Sequence, residues 1–108
     1  MANAYVFDKS KAHIIAERLT QVNFKVNSLV FQNLQKMQFD YTNKFLNCKI
    51  PVLVIQGKND IISIETAQEI ANSFGNAKLV LIDNCGHYGW LDAEEIYLKS
   101  IKLFLFDN

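Results

Sequence analysis

Two unbroken apolar runs, Val52-Leu53-Val54-Ile55 and Leu79-Val80-Leu81-Ile82, constrain this 108-residue chain more than any other feature. Neither alternates apolar with polar residues, so each strand needs cover on both faces, the environment of a parallel strand between helices. Between them Ser63 can cap a helix whose buried stripe is Ile64, Ala67, Ile70, Ala71 and Phe74, with Gly75-Asn76 as its stop. Strand, helix and strand in this spacing predict one right-handed βαβ unit and hence an α/β fold. Pro51, with no N–H to donate, belongs at the first strand's opening position or on an edge.

Each strand runs into a polar loop: Gly57-Lys58-Asn59-Asp60 after the first, and Asp83-Asn84-Cys85-Gly86-His87 after the second. Parallel strands deliver such loops to one rim, where ligands and catalytic side chains gather. Asp60 and His87 are therefore expected close together. A last helix follows, with Asp92 and Glu95 in the relation of a capping box variant and Tyr97, Ile101, Phe104 and Leu105 facing inward.

The part before residue 47 reads as mostly helical. Residues 1–6 carry no pattern. From Asp8 or Ser10, Ile14, Ile15, Arg18, Leu19 and Val22 recur at helical spacing, and this helix ends near Thr20. A second begins at Asn27 or Ser28, with Leu29, Val30, Leu34, Met37 and Tyr41 on one stripe, while residues 22–26 fit an extended piece as well as a helix. The aromatics of this region (Phe24, Phe31, Phe39, Tyr41, Phe45) suit a cap over something apolar, although each alone suits core packing. His13 has no acidic or nucleophilic partner at helical spacing and reads as a surface or half-buried histidine.

Eleven basic residues balance eleven acidic ones, which leaves no electrostatic footprint for nucleic acid or an anionic membrane. The apolar runs fall far short of the ~20 residues that cross a bilayer, and no charged leader precedes an apolar core. A soluble, cytoplasmic protein is expected, with no membrane partner. Cys48 and Cys85 are too few and too far apart for a disulfide framework or a zinc site, and each is expected as a reduced, inert, packed thiol. No metal and no cofactor is implied.

The order Pro51 to Asp60, a helix, Lys78-Leu79-Val80-Leu81-Ile82, Cys85-Gly86-His87 and a closing amphipathic helix is similar to the C-terminal part of α/β-hydrolase fold enzymes. In that family a strand ends in Gly-x-x-Asp, carrying the triad acid, and the next is followed by Gly-His, carrying the triad base. The resemblance implies that Asp60 is the acid and His87 the base. It covers residues 49–106, with 47–108 as the C-terminal βαβα part and, more weakly, 1–46 as a cap or lid segment with its connecting helix. The Tyr88-Gly89-Trp90 neighbourhood resembles proline iminopeptidase-type and related small-substrate hydrolases. It makes Tyr88 and Trp90 candidate substrate-pocket residues, each equally able to pack under the last helix.

Two departures from the family stand out. Ile64 occupies the position where many relatives have proline after the acid, and Ser63 can cap the helix instead. More consequentially, the sequence holds no Gly-x-Ser-x-Gly elbow and no His-Gly-Gly segment, and none of Ser10, Ser28, Ser63, Ser73 or Ser100 is flanked by glycines on a strand-to-helix turn. The resemblance thus implies a serine hydrolase segment, inactive alone, that acts on a small molecule or short peptide in a full-length form. Two parallel strands leave a sheet edge open, and a homo-oligomer or a complementing chain is expected there. An alternative is a non-enzymatic association module derived from a hydrolase. Anion binding at residues 59–63 is disfavoured because no glycine-rich phosphate cradle is present.

Overall fold

The computed structural model describes residues 1–107. Helices α1 (Ala2–Tyr5), α2 (Ala12–Leu19) and α3 (Phe24–Lys36) precede strand β1 (Val52–Gly57). Helix α4 (Ile64–Asn72), strand β2 (Ala77–Ile82), the short α5 (Gly89–Asp92) and α6 (Glu94–Phe106) complete the chain. The strands pair in parallel from Val52 opposite Ala77 to Gly57 opposite Ile82, and α4 and α6 both pack on them. The βαβ unit forms as the two apolar runs require.

Local chemistry accounts for most boundaries. The Ser63 hydroxyl accepts the Thr66 N–H at 3.3 Å and starts α4. Asp8 accepts the Ser10 N–H and opens a 3₁₀ turn (Lys9–Lys11) that leads into α2. Helix α3 starts at Phe24, three residues before the earliest start read from the pattern, so residues 24–26 are helical while Val22 and the extended Asn23 precede the helix. The Asn23 side chain accepts the Val26 N–H at 3.0 Å, and Tyr41 lies beyond the helix end. Gly75 does not act as a left-handed stop, since no glycine has positive φ. It is needed for space, because a Cβ there would lie 2.2 Å from the Leu46 carbonyl oxygen.

The expected capping box at the last helix does not form. Helix α6 begins after Ala93 with no side-chain cap, and the Asp92 carboxylate is turned to other partners. Residues 1–6, unreadable in sequence, form α1 and a docking segment. Val6, Ala12 and Ile15 make a small buried cluster on which Tyr5, Tyr88 and Leu91 pack. This cluster ties the N-terminal helices to the stretch just after His87.

The remaining apolar surface is thinly covered. Every residue of α3 is exposed except half-buried Leu34, so Phe24, Leu29 and Phe31 face outward. The radius of gyration is 16.0 Å, against about 13 Å for a compact chain of this length. Along β1, Val52 and Lys58 donate their N–H groups to Asn76 and Ile82 of the β2 side at 2.9 and 2.8 Å. By strand alternation Leu53 and Ile55 turn their polar backbone groups to the opposite edge, where no strand pairs among the described residues. No helix among those residues is long and apolar enough to cross a membrane.

Candidate active site

The loops after β1 and β2 meet at the carboxyl ends of the strands. The Lys58 N–H donates to the Ile82 carbonyl at 2.8 Å, and the Asn59 N–H to the Cys85 carbonyl at 2.9 Å. Such an approach leaves no space for a side chain at Gly57, where a Cβ would lie 2.2 Å from the Cys85 oxygen and 2.3 Å from that of Gly86. An ion pair of 2.7 Å between Lys58 and Asp83 also spans the loops, but both side chains are exposed and such pairs add little stability. Gln56 braces the first loop from within by donating to the Ile62 and Ser63 carbonyls at 2.8 and 3.0 Å.

This frame brings Asp60 and His87 together. Nδ1 of His87 lies 3.0 Å from Oδ1 and 3.1 Å from Oδ2 of Asp60. The carboxylate is 7% exposed and the imidazole 41%, so Asp60 is sheltered while His87 reaches solvent. Asp60 Oδ1 also accepts the Ile62 N–H at 3.0 Å, which fixes the carboxylate independently of the histidine. With Nδ1 engaged, Nε2 is the nitrogen left for a proton transfer. A cleft of about 270 Å³ opens at the pair, lined also by Ile55, Ile70 and Tyr97.

Three further contacts hold His87. Its backbone N–H donates to the Tyr5 carbonyl at 2.8 Å. The Tyr5 and Tyr88 rings stand edge-on to the imidazole, with centroids at 5.5 and 5.4 Å. Tyr88 is thus beside the histidine while also packing on the Val6 cluster. Trp90 contacts Tyr88 at 5.8 Å and is partly exposed, and neither residue lines the cleft at the pair. Tyr5 carries no signal in the sequence, because its place depends wholly on docking.

Cys85 is fully buried, and its Sγ lies 3.6 Å from the Gly86 carbonyl oxygen. Burial, and secondarily the Asp92 and Asp60 carboxylates, push its thiol above the ordinary value of 9.0. That suits packing rather than nucleophilic attack. Cys48 is half-buried and also free. His13 Nδ1 faces the Ser10 carbonyl oxygen at 2.8 Å, far in sequence from the pair. Among the described residues no group of three or more His, Cys, Asp or Glu side chains could hold a metal.

No family model matches the chain. Over 67 residues it is 27% identical to a proline iminopeptidase of Lactobacillus crispatus, which covers 62% of this chain and 23% of the relative. A proline iminopeptidase of Saccharolobus solfataricus is 28% identical over 67 residues, 62% of this chain and 22% of the relative. The chain therefore spans about a quarter of the length of these relatives or less. Among solved structures, the 2-hydroxy-6-oxo-6-phenylhexa-2,4-dienoate hydrolase of Rhodococcus sp. strain RHA1 matches 96% of this chain and 41% of its own. It does so with a TM-score of 0.74 at 16% identity. A serine hydrolase involved in carbazole degradation matches 72% of this chain and 31% of its own, with a TM-score of 0.59 at 23% identity.

Proposed function

We propose that this chain, which has the fold of the C-terminal part of an α/β-hydrolase, supplies the acid and base of a serine-hydrolase site acting on small esters, amides or peptides. The nucleophile comes from outside these 108 residues. The observation that carries the reading is the contact of His87 Nδ1 with both oxygens of Asp60 at the carboxyl ends of two parallel strands.

In that role His87 Nε2 takes the proton of a serine hydroxyl as the hydroxyl oxygen attacks the substrate carbonyl. It later returns the proton to the leaving group. Asp60 holds the tautomer and stabilises the imidazolium between the two steps. Without a nucleophile and oxyanion donors the pair could act only as general base on water, a contribution of roughly 10²- to 10⁴-fold. The chain alone is accordingly not a competent hydrolase. In this reading residues 1–46 belong to a cap, and Tyr88, beside the His87 ring, and Trp90, beside Tyr88, reach substrate from outside the cleft that opens at the pair.

The test is hydrolysis of a chromogenic acyl ester, and of a proline arylamide, by the chain alone and by the product of the DNA reading in frame upstream of the Met1 codon. An upstream frame that encodes a Gly-x-Ser-x-Gly, together with turnover abolished by His87→Ala or Asp60→Ala, supports the proposal. Turnover by the 108 residues alone, abolished by His87→Ala, contradicts it.

A second reading, a non-enzymatic association module, is favoured by the edge at Leu53 and Ile55, which no strand pairs among the described residues, and by the outward apolar face of α3. A start codon at Met1 with its own ribosome site would support that reading over the first.

A further inference from the structure

Asp92 gives its carboxylate to backbone amides from two stretches far apart in the chain. Oδ2 accepts the N–H of Phe7 at 2.7 Å and that of Gly86 at 2.9 Å, and Oδ1 accepts the N–H of Asp8 at 3.1 Å. Bonds to an ionised acceptor are about twice as strong as neutral ones. This clamp lies directly beside the base. Gly86 precedes His87, and Phe7 lies two residues past Tyr5, whose carbonyl and ring both meet the histidine. The stretches are in such close contact that a Cβ on Gly86 would lie 2.6 Å from the Tyr5 oxygen and 3.1 Å from Asp92 Oδ2.

We propose that Asp92 is a positioning residue: it holds residues 5–8 against the Gly86-His87 loop and thereby sets where the His87 imidazole stands relative to Asp60. It acts through Gly86 and Tyr5 and does not touch the imidazole. Lys11 supports the same seam by donating its Nζ–H to the Leu91 carbonyl at 2.8 Å. The N-terminal segment is then part of the machinery that places the base. The consequence for catalysis rests on reading Asp60 and His87 as acid and base, whereas the positional statement stands without it.

The experiment is amide hydrogen exchange, with the His87 imidazole nitrogen resonances, on the full chain carrying Asp92→Asn or Asp92→Glu. Asparagine keeps the size but loses the charge and presents donors to donors. In Asp92→Asn the amides of Phe7, Gly86 and His87 are expected to exchange roughly tenfold faster or more, while Val54 and Val80 keep their rates. The imidazole resonances shift, and Asp92→Glu retains the protection. Unchanged exchange at His87 in folded Asp92→Asn would overturn the proposal. Equal acceleration in both strands would overturn it too, by making Asp92 a residue of general stability. If Asp92→Asn does not fold, Gly86→Ala displaces Tyr5 from the other side. The same local pattern there supports the clamp, and failure of both variants to fold counts against it. None of these readouts is turnover, so a failed clamp leaves the acid-base reading standing, and a failed hydrolysis assay leaves the clamp standing.

Discussion

The Gly57 Cα faces the Cys85 carbonyl so closely that a methyl group on it would lie 2.2 Å from the oxygen. This contact sets the spacing of the two loops that carry Asp60 and His87. The obstacle is backbone on both sides, so no side-chain rotation can relieve it.

Gly57→Ala should therefore destabilise the chain by about 1–3 kcal/mol or more, the usual range for forcing atoms into a filled space. It should also pull His87 away from Asp60. Urea unfolding followed by circular dichroism measures the first effect. A midpoint equal to that of the unsubstituted chain would show that the loops can part without cost.

The Cys85 thiol holds its proton more tightly in the folded state than in the unfolded chain, chiefly because it is buried. Its contribution to stability is whole below pH 9.0 and is lost as the pH rises from there through the folded-state value. The unsubstituted chain should lose more stability between pH 8 and pH 10 than Cys85→Ala, in urea titrations compared pairwise. In the folded chain iodoacetamide should label half-buried Cys48 before Cys85, and the reverse order on peptide mapping would refute the assignment.

The edge of β1 predicts association. Leu53 and Ile55 turn backbone groups to an edge where no strand pairs among the described residues, and the chain is more expanded than its length requires. Light scattering on a sizing column should find an oligomer, or a monomer only together with a complementing segment. A stable, folded monomer at low concentration would contradict this.

The parts of the fold legible in the sequence are those set by short-range chemistry. The two apolar runs and the Ser63 cap specify the βαβ unit, and the loops after the strands specify that Asp60 and His87 meet. Partners far apart in sequence escaped it. The four residues of α1 are too few to form a stable helix alone, and their place comes from Val6 entering the cluster under Tyr88. Asp92 looks like a helix cap because its spacing to Glu95 is right, yet amides of Phe7, Asp8 and Gly86 take its carboxylate instead. The start of α3 was masked by the Val22-Asn23-Phe24-Lys25-Val26 alternation, which suits a strand until Asn23 is recognised as the cap.

Asp60 holds His87 by Nδ1 and leaves Nε2 for proton transfer, and nitrogen-detected magnetic resonance of the imidazole in the full chain tests this most directly. The prediction is a proton on Nδ1 in a hydrogen bond to a carboxylate, seen as a far-downfield signal that is lost in Asp60→Ala, with Nε2 the nitrogen that makes no contact with Asp60. A proton on Nε2 alone, with a spectrum indifferent to Asp60→Ala, would contradict the reading of these two residues as an acid-base pair.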